Sequence, residues 1–240
     1  MFDGRLIICG GTEKFKANGL SQAWDGAKET YLFDPQTEIF QHIASDMHLG
    51  RWYPSVVTLA NGKVLAISGF EAEPTISQPE IYIGARQGWT PPLSYSASAS
   101  EISDMKNRLR PCADAQPQPN PPNIDLDFIN DNGPPWPLYP HFFLLQDDRL
   151  FYSGGYVFAN HWCFPPGWLE LNETQNSFKF TPLANTLPDD FNPNRRDQSS
   201  TVILPPAHEQ KIMIMGGGNQ GAGDMRNDSP RMIQTNFHLS

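Results

Sequence analysis

The sequence predicts an all-β fold built from one repeated unit. Four segments share a turn, a basic residue, an apolar run and then glycine: DGRLIICGG (3–11), NGKVLAISG (61–69), DDRLFYSGG (147–155) and EQKIMIMGG (209–217). The 23 Pro and 19 Gly among 240 residues are typical of short strands joined by irregular loops. Asp3-Gly4 and Asn61-Gly62 are strong signals for two-residue hairpins. Each repeat is therefore expected to hold one strand of an antiparallel sheet.

A further strand is predicted just before three of the four repeats. The candidates are RWYPSVVTL (51–59), WPLYPHFFLL (136–145) and RRDQSSTVIL (195–204). Tyr53-Pro54 and Tyr139-Pro140 each stand ten residues before the basic residue of their repeat, so these two hairpins share one register. Gln198 takes the same position in the third hairpin once three extra turn residues are allowed.

Third and fourth strands are predicted after each glycine pair, at 30–40, 79–89, 167–178 and 231–240. Four antiparallel strands in sequence order make one blade of a β-propeller. The sequence thus predicts a partial propeller of about four blades, in units at 1–50, 51–93, 136–183 and 195–240. A β-sandwich is the alternative, and the in-frame repeat disfavours it.

The segment 94–135 interrupts the repeat. It holds one possible helical turn between Ser100 and Leu109, and then a Pro- and Asn-rich stretch. We interpret it as an insertion between blades, because the repeat resumes in register after it. A linker between domains is the weaker alternative. The first unit starts at its second strand and the last stops after its third, so we expect the propeller to extend beyond both ends of this sequence.

Charge and cysteine content narrow the expected partners. The formal net charge is −9 without a Lys/Arg cluster, which argues against a nucleic acid or an acidic membrane surface. The sequence contains no run of 18 apolar residues, so it predicts no membrane-spanning helix. A neutral or cationic small molecule is the expected partner. Cys9, Cys112 and Cys163 are too scattered for a CxxC metal site, and both a Cys112–Cys163 bridge and three separate thiols stay open.

The stretch RWYPSVVTLANGKVLAISGF (51–70) resembles the inner hairpin of the galactose oxidase and glyoxal oxidase family, and the hairpins at 136–155 and 195–218 resemble its next two blades. The resemblance implies a kelch-type propeller of seven blades, of which about four would lie here. It also implies one copper ion held by tyrosines and histidines, with one tyrosine bonded to a cysteine and able to form a radical. Such oxidases act on alcohols, aldehydes or carbohydrates and reduce O₂ to H₂O₂. An extracellular or cell-envelope location is expected from the same resemblance.

The resemblance carries over to few residues. Tyr53 matches the tyrosine that ligates copper and bears the radical, although packing near the axis is the plainer alternative for an inner aromatic residue. Tyr139 and Gln198 are expected at the same end of the propeller's central channel as Tyr53. There they either contact substrate or fill the channel. Cys9 follows its turn and so does not match the bridging cysteine. Phe70 is the nearest match to the aromatic residue that shields the radical.

Two hypotheses follow from the sequence. The leading one is that the chain supplies blades of a copper-radical oxidase of primary alcohols or aldehydes. By itself the chain is expected to be inactive and to hold no copper, because none of its six histidines matches a ligand motif. The alternative is a non-catalytic kelch propeller that binds a glycan or a protein. A nucleotide site at 216–221 is disfavoured because the sequence that follows is rich in turns rather than helical.

Overall fold

Strands dominate the computed structural model of the chain, and they form several separate sheets in which nearly all neighbours are antiparallel. This confirms the all-β prediction. The structure describes residues 1, 3–15, 24–71, 78–111, 127–156, 162–163, 165–183, 200–215 and 233–235. Within those ranges, no helix is both long enough and apolar enough to cross a membrane.

Four sheets follow one another along the chain. The first sheet has the order β1 (Leu6–Cys9), β4 (Thr30–Asp34) and β5 (Ile39–His42). The second sheet holds β6 (Ser55–Thr58), β7 (Val64–Ile67), β8 (Glu80–Gly84) and β9 (Gly88–Trp89) in sequence order. In the third sheet β12 (Leu138–Leu144), β13 (Leu150–Tyr156), β15 (Gly167–Asn172) and β16 (Ser177–Pro182) are neighbours. The fourth sheet joins β17 (Ser200–Ile203), β18 (Ile212–Met215) and β19 (Ile233–Thr235).

The segment 94–135 contributes more regular structure than the sequence indicates. Its strand β10 (Ser94–Tyr95) extends the third sheet by pairing in parallel with β16. Helix α1 (Ala99–Arg108) is ten residues long, where the sequence predicts a single turn. Ser98 and Glu101 form a reciprocal capping box at its start, which explains why the helix begins there. A shorter helix, α2 (Phe128–Asn132), precedes the return to the third sheet.

Two small ribbons complete the described strands. β2 (Thr12–Phe15) pairs with β3 (Trp24–Gly26), an excursion between β1 and β4 that the repeat does not predict. β11 (Arg110–Pro111) pairs with β14 (Trp162–Cys163), which places the backbone of Cys163 opposite Arg110. Cys112 lies outside the described residues, so a Cys112–Cys163 bridge and separate thiols both stay open.

The turn that opens each repeat is held by local polar contacts. The Asp3 carboxylate accepts from the backbone N–H of Arg5 at 3.0 Å and pairs with its guanidinium at 2.6 Å. Arg149 has the same two contacts with Asp147. A carboxylate that bonds the backbone two residues on favours a tight turn. In these two repeats the basic residue is therefore part of the turn, and at this exposed position its ion pair adds little stability.

The four sheets pack face to face in chain order. Ile7, Cys9 and Leu32 of the first sheet pack against a core that includes Val64 and Ala66 of the second. Leu65 and Ile67, on the opposite face of β7, pack against the third sheet. Phe143 and Phe151 of the third sheet then pack against the fourth. The residues of the third sheet that contact the second are Leu150, Tyr152, Leu169, Phe178 and Phe180, and those of the fourth that contact the third are Ile203, Ile212 and Ile214.

Candidate functional site

Tyr53 lies two residues before β6 in an unusual backbone conformation. Its φ of +61° is in the left-handed region, which residues other than glycine rarely adopt. Its neighbour Trp52 is fixed by two backbone hydrogen bonds with Phe70, at 2.8 and 3.0 Å, which hold the chain in place just before the tyrosine. The side chain of Tyr53 is exposed. The segment therefore presents a phenol to solvent from a rigid base.

Tyr139 repeats this arrangement at the start of the third sheet. It is the second residue of β12, its φ is +48°, and its side chain is also exposed. Its backbone N–H donates to the carbonyl oxygen of Tyr53 at 3.2 Å. The two rings stack with their centroids 4.7 Å apart. The structure thus brings together two of the three residues singled out by register; the third, Gln198, lies outside the described residues.

The two tyrosines belong to a longer stack of rings. Trp52 stacks on Tyr53 with a centroid separation of 3.9 Å and an angle of 15°. Phe70 stacks on Trp52 at 5.9 Å. We call Phe70, Trp52, Tyr53 and Tyr139 the aromatic stack. Trp52 is thus the ring that lies on Tyr53, and the resemblance, which pointed to Phe70, did not identify it.

A buried ion pair holds the segment that carries Tyr53. Arg51 and Glu80 have fully buried side chains, and their charged atoms are 2.8 Å apart. The guanidinium also donates to the carbonyl oxygens of Ser68 and Gln78, at 2.9 and 2.8 Å. The carboxylate accepts from the backbone N–H groups of His48 and Leu49, at 2.6 and 3.2 Å. Complete burial lowers the pKa of Arg51, while the Glu80 charge opposes that shift.

Glycines leave room for the backbone of Arg51. A Cβ on Gly10 would lie 2.4 Å from the Arg51 carbonyl oxygen, and one on Gly26 would lie 2.5 Å from the Arg51 nitrogen. Both distances are too short for any real side chain. Gly10 follows the apolar run of the first repeat, and the crowded backbone requires a glycine there. Gly26, in the unpredicted ribbon, fulfils the same role.

Ser68 links this segment to the third sheet. It is completely buried, has a φ of +66°, and donates through Oγ to the carbonyl oxygen of Pro137 at 2.6 Å. Leu138 packs into a small cluster with Trp52 and Phe70. The backbone segments that carry the two exposed tyrosines are therefore joined by a buried hydrogen bond and an apolar contact. The two tyrosine side chains thus belong to one surface.

Burial shifts the pKa values of two titratable groups beside the stack. Partial burial, and after it the neighbouring Tyr53, raises the pKa of Tyr139 above its ordinary value. Burial lowers the pKa of His141, whose Nδ1 lies 3.5 Å from the hydroxyl oxygen of Thr201 in the fourth sheet. That same hydroxyl oxygen accepts from Ser153 at 3.0 Å. The imidazole is thus engaged between the third and fourth sheets.

A copper site requires several donor groups that converge on one point. Tyr53 and Tyr139 supply phenols, and a neutral phenol is a poor ligand for Cu(II). Within the described ranges, no three His, Cys, Asp or Glu side chains come together as a metal site would require. Cys9 packs between the first and second sheets, and burial raises the pKa of its thiol to about 12. The described donors therefore do not complete the copper site that the sequence resemblance implies.

Comparison with known protein families finds no match to the chain, and comparison with curated proteins finds none either. Chemically, the stack offers two things. A phenol packed between electron-rich rings is a favourable position for losing an electron, and exposed aromatic faces are suited to stacking on a ligand.

Proposed function

We propose that this chain supplies the radical-bearing tyrosine, Tyr53, of a kelch-type β-propeller in the galactose oxidase and glyoxal oxidase family. The observation that carries the proposal is the position of Tyr53. Its phenol is exposed, held by a left-handed backbone, and stacked between Trp52 and Tyr139. A general packing role would favour a buried ring, whereas a redox role requires a phenol that is both reachable and fixed.

The arrangement of the sheets supports the propeller part of the proposal. In the second sheet the strands follow sequence order, and the four main strands of the third do the same, as in propeller blades. β6 and β12 are edge strands of neighbouring sheets, and the two tyrosines at their starts meet. Such a meeting of first strands is expected around a central axis. The proposal includes about four blades of a seven-bladed propeller.

The chemistry proposed for the chain's own residues is the one-electron oxidation of Tyr53. Transfer of one electron from the phenol to a one-electron oxidant, and of its proton to solvent water, gives a neutral phenoxyl radical. Trp52 on one side and Tyr139 on the other exclude solvent from the ring faces and provide polarisable partners for the electron-poor ring. In such oxidases copper supplies the second redox equivalent. The described donors do not complete that site, so no step through the metal is derived.

One test is direct oxidation of the chain with a one-electron oxidant such as hexachloroiridate, followed by electron paramagnetic resonance. We expect a tyrosyl signal that is lost in Tyr53→Phe and kept in Tyr31→Phe, a control on the first sheet. An unchanged signal in Tyr53→Phe would sink the proposed role of Tyr53. After copper loading, we expect the chain alone to release no H₂O₂ from alcohols or aldehydes. Turnover that depends on Tyr53 would instead mean that residues outside the described ranges complete the site.

A second candidate function is glycan binding without chemistry. The exposed side chain of Tyr139 favours it, because an aromatic ring presented to solvent can stack on the apolar face of a sugar. Titration with a panel of neutral oligosaccharides, followed by Trp fluorescence, distinguishes the two candidates. Saturable binding that Tyr139→Ala abolishes, together with no radical at Tyr53, would favour the binding module.

A further inference from the structure

Two phenols meet where the second and third sheets contact each other. The rings of Tyr53 and Tyr139 stack with their centroids 4.7 Å apart and their planes at 25°. Stacked rings at that separation are in van der Waals contact. The backbone N–H of Tyr139 donates to the carbonyl oxygen of Tyr53 at 3.2 Å, so the two chain segments are held together as well. A reaction between the rings therefore needs no encounter of separate molecules, which favours it strongly.

The stacked pair is also accessible to solvent, since both of its side chains are exposed. Among the other tyrosines that the structure describes, Tyr82 and Tyr152 are buried. The hydroxyl groups of Tyr82 and Tyr95 have no hydrogen-bond partner in the described part of the chain, so no neighbouring group is placed to accept their protons. Tyr31 packs on the imidazole of His42, with ring centroids 5.0 Å apart. The stacked pair thus combines solvent access with a second phenol in contact.

We propose that Tyr53 and Tyr139 form an oxidative cross-linking site, at which two one-electron oxidations join their rings as dityrosine. Each phenol transfers one electron to a soluble one-electron oxidant and its hydroxyl proton to water. The two phenoxyl radicals then form one carbon–carbon bond between ring carbons adjacent to the carbons that bear oxygen. The hydrogen on each of these two carbons moves to the oxygen of its own ring, which restores both phenols. The net change is the loss of two electrons and two protons.

The cross-link goes beyond the function proposed above, because it needs neither copper nor a substrate. It bonds the segment before β6 to the start of β12, and so joins the second and third sheets covalently. A bond between positions this far apart in sequence restricts the unfolded chain, which stabilises the folded one. The site therefore converts exposure to an oxidant into a more stable contact between two sheets.

Oxidation of the full chain with enough hexachloroiridate to remove two electrons per molecule tests the proposal. We expect dityrosine fluorescence, and mass spectrometry of a digest should show the peptides that carry Tyr53 and Tyr139 joined with the loss of two hydrogen atoms. The fraction cross-linked per unit time should not change when the protein is diluted at constant oxidant concentration, because both rings belong to one chain. In urea titration, the cross-linked chain should unfold at a higher urea concentration than the untreated chain.

Tyr53→Phe and Tyr139→Phe each remove one phenol but keep a ring in the stack, so each should lose the cross-link. Tyr31→Phe is the control and should keep it. Should a variant fail to fold, the digest of the parent chain still decides, because it identifies the two residues that are joined. Absence of dityrosine, a bond between other tyrosines, or a rate that rises with protein concentration overturns the proposal. A persistent Tyr53 radical without any cross-link overturns it as well, and leaves the proposed redox role of Tyr53 standing.

Discussion

The hairpins that begin the second and third sheets place a Tyr-Pro pair in the same way but are held by different forces. In the second sheet, Arg51 is buried two residues before the tyrosine and pairs with Glu80. In the third, Trp136 is buried three residues before it. Its ring meets those of Phe142, Tyr152 and Phe180 edge to face, with centroids 5.0–5.3 Å apart. Both solutions give an exposed tyrosine with positive φ.

The comparison shows that different buried residues can support the same exposed tyrosine conformation. A buried ion pair is demanding, because each charge depends on the other and on well-placed hydrogen bonds. An aromatic cluster depends on volume and tolerates changes in polarity nearby. We therefore expect the second-sheet hairpin to be sensitive to loss of charge and the third-sheet hairpin to loss of volume.

The largest effect is expected from breaking the ion pair. Glu80→Ala leaves the Arg51 charge buried and removes the acceptor for two backbone N–H groups. We expect a loss of about 3–5 kcal/mol in the free energy of unfolding, measured by urea titration. The double variant Arg51→Met/Glu80→Met should recover part of that loss, since no charge stays uncompensated. A loss below about 1 kcal/mol for Glu80→Ala would contradict the comparison.

The matching change in the third sheet is Trp136→Leu. It keeps the site apolar but leaves space among three aromatic rings, so we expect a loss of about 2–3 kcal/mol in unfolding free energy. Because the substitution neither exposes a charge nor leaves one unpaired, the loss of unfolding free energy should be the same at low and high salt. A strong salt dependence would mean that the hairpin depends on electrostatics after all.

A smaller effect should come from the contact between the two hairpins. A double-mutant cycle of Tyr53→Leu and Tyr139→Leu measures the coupling of the stacked rings, which we expect at about 0.5–1.5 kcal/mol. The same cycle with Tyr53→Leu and Tyr31→Leu serves as control and should give no coupling. Additive losses in the first cycle would show that the rings lie side by side without stabilising each other.

The smallest expected effect concerns pH. His141 follows Tyr139-Pro140 at the position that Ser55 holds in the other hairpin. Because its pKa is lower in the folded chain, the unfolded chain binds more protons as the pH falls below about 6.5. Stability should therefore decline on acidification. His141→Gln should flatten that decline in thermal unfolding between neutral and mildly acidic pH, while His208→Gln, on an exposed turn, should leave it unchanged.

Much of the fold was predictable because its repeat is local. The turn, basic residue and apolar run located β1, β7, β13 and β18, and the shared register of Tyr53 and Tyr139 brought them to equivalent places. The β2–β3 ribbon lies outside the repeat and was not predicted. In the insertion, the sequence indicated a helical turn where α1 lies, but not the full length of that helix. The propeller, its units, the copper and the roles of Tyr53, Tyr139 and Gln198 stay predictions.

The site was less predictable because its support comes from residues distant in sequence. No sequence pattern near Glu80 indicates that it pairs with Arg51, 29 positions earlier. One signal was available: a lone acidic residue at the start of an otherwise apolar strand indicates a buried partner. Trp52 could have been recognised only by knowing that Tyr53 adopts a left-handed conformation, and single-sequence patterns do not indicate that for a tyrosine.

The close contact between Trp52 and Tyr53 also gives the molecule a built-in optical probe. An indole and a phenol held 3.9 Å apart and nearly parallel couple their electronic transitions, which produces a near-ultraviolet circular dichroism signal from this one place. Loosening of the segment before Tyr53 would reduce that signal even while the sheets, and hence the far-ultraviolet spectrum, stay intact. Loosening of that segment could thus be followed without any label.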